Sequence, residues 1–277
     1  MQPLYISDLD GTLLRKDLTL SDYTIDTLNS LTKQGLLFTI ATARTEATVS
    51  DLLKPLDLSI PVILMNGVII YHLSTKTYLK VHTLPHNTAK DILLLLKEHQ
   101  LSPFMYELKD NLFQTYYEYF KNKSMYEFYE ERAFLHNKKF VKTDLLSFTS
   151  LDHIIYFALL DTREALEPVY HKVIANKELS AAFYRDIYSN EDIWYLEIFS
   201  IHASKYNGAK FLREELGYEY LVGMGDNLND IPLFHACDES CAVANGKEEV
   251  KKIATHQILS NEEDGVARFI QSHFTIC

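Results

Sequence analysis

Leu4-Tyr5-Ile6 runs into Ser7-Asp8-Leu9-Asp10-Gly11-Thr12, and the same grammar recurs along the chain: a short apolar run without alternation, closed by a polar turn. "LLFTIA" stops at Thr42-Ala43-Arg44, "PVILM" at Asn66-Gly67, and "YLVGMG" at Asp226. Strands apolar on both faces are covered on both sides, which is the usual state of a parallel sheet. Helical patterns lie between them. "SDYTIDTLNSLTKQG" has Ser21 as a cap, Ile25, Leu28 and Leu31 at helical spacing, and Gly35 as a stop. "TEATVSDLL" ends before Pro55, and "SKYNGAKFLREELG" carries Ser204 as a cap and Gly217 as its close. Near the end come a short helix "PLFHACD", a strand "SCAVANG", and the helices "KEEVKKIA" and "DGVARFIQSHF". Strands alternating with helices in this way predict an α/β protein with a doubly wound, Rossmann-like parallel-sheet core.

The alternation is interrupted. "VIIYHLSTKTYLKVH" reads as a β-hairpin, and the texture then turns to mixed α+β: the helix "NTAKDILLLLKEH", strands "FMYEL", "NLFQTYY" and "HIIYFALLD", a helix after Arg163, and strand-like "AAFYRDIY". The expected organisation is therefore a core from residues 1–83 and 188–277, with an inserted α+β domain over 84–187. No Gly/Pro/Ser-rich linker, repeat or low-complexity tract marks the edges.

A length of 277 residues allows one large domain or two smaller ones. The formal net charge of −11, without any basic block, excludes a nucleic-acid surface and charge-driven binding to an anionic membrane. The longest apolar runs fall far short of the ~20 residues that cross a bilayer. Cys237, Cys241 and Cys277 lack the second Cys/His pair of a zinc site and read as free thiols of a reducing compartment, so a cytoplasmic location is expected. Oligomeric state is not legible.

Ligands of open parallel sheets bind beyond the carboxyl ends of the strands. The residues there are Asp8 and Asp10; Thr42, Ala43 and Arg44; Asn66 and Gly67; and Asp226, Asn229 and Asp230, with Lys205 opening a later helix. Two residues apart on a strand, Asp8 and Asp10 leave it on the same side, where their charges repel unless a cation intervenes. Converging carboxylates suit a hard divalent cation. A hydroxyl, an ammonium and loop amides suit a phosphoryl group. Together they describe Mg²⁺-assisted phosphoryl transfer.

"DLDGTLL", "TAR", "SK" and "GDNLND", in that order, resemble the four motifs of the haloacid dehalogenase superfamily of phosphatases. The insert, "LMNG", "AVANG" and "SNEEDGVARFI" resemble its Cof-type subfamily, whose insert is an α/β cap that selects the substrate. The resemblance implies that Asp8 is a nucleophile forming an aspartyl-phosphate and that Asp10 is the general acid and then the base. Thr42 and Lys205 would bind and neutralise the phosphoryl oxygens. Asp226 would hold Mg²⁺ with Asp8 and the Asp10 carbonyl. Asp230 is placed in the same metal set, orienting it together with Asn229. Gly11 keeps the turn open for substrate and Thr12 steadies it. Ala43, Arg44 and Asn66 join Gly11, Thr42, Lys205 and Asn229 as the substrate-binding set, Arg44 pairing with a site carboxylate or a cap group. Two positions depart from the subfamily pattern: Ala43 and Tyr206 each stand where it has glycine, which bears on substrate fit more than on chemistry.

The implied substrate is a small phosphorylated metabolite. A phosphomutase using the same intermediate, or a non-enzymatic module that keeps phosphate on Asp8, are the competing readings, and Asp10 counts against the second. Asn245 reads first as a turn residue, with a site role as the lesser reading. In the insert, Tyr117, Tyr184 and Arg185 are candidates for touching substrate, while the aromatics of "TYYEYF" and "MYEFYEE" read first as core.

Overall fold

The computed structural model describes residues 2–135, 138–186 and 192–274, and the chain divides into two compact units, Met1–Lys80 with Ser204–Cys277, and Val81–Ala203. In chain order the elements are β1 (Pro3–Ser7), α1 (Asp22–Thr32), β2 (Leu37–Ile40), α2 (Glu46–Leu53), β3 (Val62–Leu64), β4 (Ile69–His72) and β5 (Thr77–Val81). Next come α3 (His86–Glu98), β6 (Phe104–Lys109), β7 (Leu112–Tyr117), α4 (Lys123–Glu130), β8 (Phe140–Lys142), β9 (Ile154–Asp161), α5 (Arg163–Ile174), β10 (Leu179–Arg185) and β11 (Trp194–Ser200). The first unit resumes with α6 (Lys205–Leu216), β12 (Tyr220–Gly225), α7 (Ile231–Ala236), β13 (Glu239–Val243), α8 (Glu248–Ile253), β14 (His256–Ile258) and α9 (Gly265–His273).

The first unit is built on a five-stranded sheet in the order β14-β13-β12-β1-β2, parallel throughout. A parallel bridge from Ala41 to Ile63 leads on to β3, which opens a second sheet, β3-β4-β5. Leu4, Ile6, Ile63, Leu221 and Leu233 pack with Ala209 and Leu212 of α6 into one apolar cluster. Burying each such leucine or isoleucine contributes roughly 1.5–3 kcal/mol. The helix caps follow the sequence: Ser21 accepts from the amide of Thr24 and Ser204 from that of Asn207, while Gly217 takes φ 78° at the end of α6. From β1 the chain first moves to β2 on one side and later returns to β12 on the other. The crevice between β1 and β12 is therefore the switch point at which such sheets bind ligands.

The second unit is a six-stranded sheet, β10-β11-β9-β6-β7-β8. One face, with Met105, Phe157, Leu159, Leu196 and Ile198, packs against α3 and α5 through Ala89, Ile92, Leu96, Leu166 and Val169. The expected boundary at 187/188 lies outside the described residues. The unit nevertheless reaches Ala203, so β11 belongs to it and not to the core, to which the sequence reading assigned 188–277. The reason is pairing: β11 bonds to β10 along all seven residues on one edge and to β9 on the other. Of the expected thiols, Cys237 and Cys241 are free and burial pushes both up; Cys277 lies outside the described residues.

Candidate active site

β1 delivers Asp8 to the switch point. Its backbone N–H donates to the Met224 carbonyl at 2.9 Å, so the ladder with β12 continues one residue beyond the strand. The chain then curls through the tight turn Leu9–Leu13, which requires φ +76° at Gly11. A Cβ at Gly11 would lie 2.7 Å from Asp226 Oδ2, so glycine is needed for space as well as for conformation. From within the same turn, Thr12 Oγ1 donates to Asp226 Oδ1 at 3.1 Å.

Lys205 enters from the start of α6, beside the turn that follows β3. Residues Met65, Asn66 and Gly67 all have positive φ, and a Cβ at Gly67 would lie 2.1 Å from the Ser204 carbonyl oxygen. That close approach seats the start of α6 on the Asn-Gly turn and carries Lys205 inward. The side chain is 1% exposed, and Nζ donates to Asp8 Oδ1 and Asp230 Oδ1, both at 2.6 Å. Asp230 Oδ2 accepts the backbone N–H groups of Asp226 and Asn227, each at 3.0 Å. Both Asp230 oxygens are thus engaged, so its visible work is to hold Lys205 and the Asp226 turn.

Carboxylate oxygens of Asp8, Asp226 and Asp230 lie within 4.8 Å of one another. Three negative charges face one ammonium, leaving two uncompensated in a largely buried place. Burial pushes the Asp8 carboxyl well above the usual range, Lys205 opposing and Asp230 and Asp226 reinforcing. Burial and then Asp230 push Asp226 up to about 6, against the Thr12 bond and Lys205. Burial pulls Lys205 down, but the Asp230 and Asp8 carboxylates outweigh it and keep the ammonium above its ordinary value. An all-oxygen donor set short of two positive charges fits a hard divalent cation.

Asp10 takes a different position. Its side chain is 41% exposed and is gripped by both nitrogens of an Arg44 fork, Nε to Oδ2 at 2.8 Å and Nη2 to Oδ1 at 2.6 Å. The side chain of Asp10 is therefore outside the three-carboxylate cluster. Thr42 is buried, and its Oγ1 accepts the Arg44 backbone N–H at 3.2 Å, which leaves the hydroxyl proton to donate. Ala43 lies half-buried between them. Asn66 is buried, and exposed Asn229 donates to its Oδ1 at 3.4 Å.

Three supporting residues escaped the sequence reading in whole or part. Asn245 donates to the Gly11 carbonyl at 2.7 Å and accepts from Asn261 N–H at 3.0 Å; Asn261 donates to the Leu14 carbonyl at 2.8 Å. Asp264, at φ 59°, accepts from Arg15 at 3.1 and 3.2 Å and from Ser21 at 2.6 Å. The Asn-Gly and Asp-Gly pairs in "AVANG" and "NEEDG" marked turns, but nothing local tied them to residues 11–24.

A buried carboxylate held by a buried lysine, within an acidic triad at the switch point of a doubly wound sheet, is a site suited to a phosphoryl group. The chain belongs to the haloacid dehalogenase-like hydrolases, whose family model matches residues 5–270, and it is a phosphatase acting on phosphoric monoesters. It is 24% identical over 272 residues to the 5-amino-6-(5-phospho-D-ribitylamino)uracil phosphatase YitU of Bacillus subtilis, covering 97% of this chain and 96% of that one. It is also 24% identical to the pyridoxal phosphate phosphatase YbhA of Escherichia coli, covering 96% of each. A haloacid dehalogenase-like hydrolase from Bacteroides thetaiotaomicron shares the fold with a TM-score of 0.80 at 23% identity, over 99% of this chain and 100% of the other.

Proposed function

We propose that the protein is a Mg²⁺-dependent phosphatase that hydrolyses a small phosphorylated metabolite through an aspartyl-phosphate on Asp8. The supporting observation is Lys205, held between Asp8 and Asp230 at 2.6 Å from each and next to Asp226. In this reading Asp8, Asp226 and the Asp10 carbonyl hold Mg²⁺, with Asp230 orienting them, and the ion supplies charge neutralisation to the phosphoryl oxygens. Asp8 attacks phosphorus and the bond to the leaving oxygen breaks. Lys205 and Thr42 hold the phosphoryl oxygens, and Asp10 donates a proton to the departing alkoxide. A water then loses a proton to Asp10 and attacks phosphorus, which frees phosphate and restores Asp8. Arg44 holds both Asp10 oxygens, and transfer of a proton from one of them loosens its bond to the guanidinium.

The second unit serves as the cap that selects the substrate, and its boundaries, Val81–Ala203, leave every residue of the chemistry outside it. Ala43, Asn66 and Asn229 border the phosphate position. The two relatives named above act, by their names, on phosphorylated compounds that contain a ring, and a compound of that size is the proposed substrate here. A cytoplasmic location accords with the free thiols, and no helix among the described residues is long and apolar enough to cross a membrane.

Single-turnover assays with Mg²⁺ test the proposal. Free phosphate supports hydrolysis, rearranged ester indicates a mutase, and a persistent phosphoprotein indicates a signalling module. Asp8→Asn abolishes turnover with the fold intact; activity within tenfold of wild type removes Asp8 from the nucleophile role.

A further inference from the structure

The turn that follows β13 reaches both acidic turns of the site. Asn245 Nδ2 donates to the Gly11 carbonyl at 2.7 Å. Two residues on, the Lys247 backbone N–H donates to the Asp226 carbonyl at 2.8 Å. Thr12 Oγ1 closes the circuit by donating to Asp226 Oδ1 at 3.1 Å. The turns at Gly11, Asp226 and Asn245 are thus tied into a ring by three hydrogen bonds, and the side chain of Asn245 supplies one of them.

Turn conformation does not account for this Asn-Gly pair. Neither Asn245 nor Gly246 is among the described residues with positive φ, the region for which such pairs are usually selected. Gly246 answers to space instead: a Cβ there would lie 3.1 Å from Asp226 Cα and 3.0 Å from the Val243 carbonyl oxygen. Asn245 is exposed, yet both polar atoms of its amide are used across long sequence separations. Its Oδ1 accepts the Asn261 backbone N–H at 3.0 Å. Asn261 is itself buried and donates to the Leu14 carbonyl at 2.8 Å, so the Asn245 amide is oriented by a fixed neighbour.

Gly11 is a place where such an anchor matters. Glycine has the widest backbone freedom of any residue, and Gly11 directly follows Asp10, whose carbonyl is a proposed Mg²⁺ ligand. The three carboxylates of the centre face one ammonium, so the turns that carry Asp8 and Asp226 repel each other without a cation. We propose that Asn245 is a positioning residue: it holds the Gly11 turn against the Asp226 turn, so that the oxygens on the two turns are preset for the divalent cation. A site that is competent for only a fraction of the time binds more weakly by that fraction. The inference rests on the Mg²⁺ reading of the acidic centre.

The test measures Mg²⁺ binding to the full chain without substrate, by titration calorimetry and by the rise of Tm with Mg²⁺ concentration. Asn245→Ala removes both amide bonds at a position whose φ suits alanine. Asn245→Asp keeps a turn-forming side chain and the acceptor for Asn261 but lacks the donor to Gly11. The Mg²⁺ Kd is expected to rise about tenfold in Asn245→Ala. It should rise at least about threefold in Asn245→Asp, against the pull of the added negative charge on a cation. At saturating Mg²⁺, kcat for p-nitrophenyl phosphate should stay within about threefold of wild type, because saturation restores the competent arrangement. A Kd within about twofold of wild type in Asn245→Ala overturns the proposal, and a lowered Tm in EDTA would then make Asn245 a structural brace alone. Wild-type Mg²⁺ binding by Asn245→Asp also overturns it, leaving Asn245 as a turn residue. If wild type itself shows no saturable Mg²⁺ binding, the metal reading falls and takes this inference with it.

Discussion

Lys205→Met tests whether one ammonium holds the acidic centre together. Methionine keeps an unbranched stem of similar length, so packing along the side chain is largely retained and the change is electrostatic. In the wild type, Lys205 is 1% exposed and sits 2.6 Å from two carboxylates. Removing one partner from a buried ion pair costs roughly 3–5 kcal/mol, because the remaining charge stays buried without compensation. For a chain of this size that corresponds to a Tm lowered by about 6–20 °C. The size of the loss depends on pH with a definite sign. Burial first, with Asp230 and Asp226 adding, raises the Asp8 carboxyl, and Lys205 works against that rise. A carboxyl raised by folding withholds stability in full above its folded value and withholds none below its unfolded value near 4. Without Lys205 the folded value climbs further, so the deficit of the variant is largest at neutral pH and narrows as acid protonates the unpaired group. Thermal unfolding followed by near-ultraviolet circular dichroism in EDTA, at about pH 7.5 and about pH 5.5, measures it. A loss below about 1 kcal/mol, or a deficit that does not narrow on acidification, refutes Lys205 as the counter-charge of the centre.

Asp10→Asn should lower kcat by about 10²–10⁴ for an alkyl phosphate, and much less for p-nitrophenyl phosphate, whose leaving group needs little protonation; equal losses argue against the acid role. With metal chelated, Asp226, raised to about 6, should withhold up to about 3 kcal/mol as pH climbs from about 4 to about 6. Mg²⁺ should therefore raise Tm more at neutral pH than near pH 5, and EDTA should stop turnover; full activity after exhaustive chelation removes the ion from the mechanism. Gly11→Ala and Gly217→Ala form a matched pair at φ +76° and +78°. Each should lose about 1–2 kcal/mol of stability. Only the first should lose activity, because its Cβ would meet Asp226 at 2.7 Å while nothing lies within 4 Å of the second.

What was legible in the sequence was set by local pattern. Unbroken apolar runs closed by polar turns located β1, β2, β3 and β12 and put Asp8, Thr42, Asn66 and Asp226 at strand ends. What was hidden depends on partners far along the chain. "WYLEIFS" reads as a buried strand in either unit, and only its pairing with β9 and β10 assigns it. "GDNLND" offers two aspartates of equal appearance, and only the bonds to Lys205 and two amides separate the role of Asp230 from that of Asp226. Arg44 was expected to pair with a site carboxylate or a cap group. Its grip on Asp10 crosses from the turn after β2 to the turn after β1, a contact no spacing rule reaches.

The central position of β1 also has a consequence in time. Its first neighbour, β2, follows within a few dozen residues, but its second begins at the pairing of Pro3 with Tyr220. At ribosomal rates of about 5–20 residues per second, the interval between making the two is about 10–40 s. Throughout that interval the Asp8 segment has been made but has neither Lys205 fixed beside it nor the Asp226 turn across from it. Asn261 and Asp264, which hold the segment from Leu14 to Ser21, emerge later still. The earliest-made part of the site is therefore assembled by residues synthesised long after it, Lys205 lying 197 positions beyond Asp8 and Asp226 214 positions beyond Thr12.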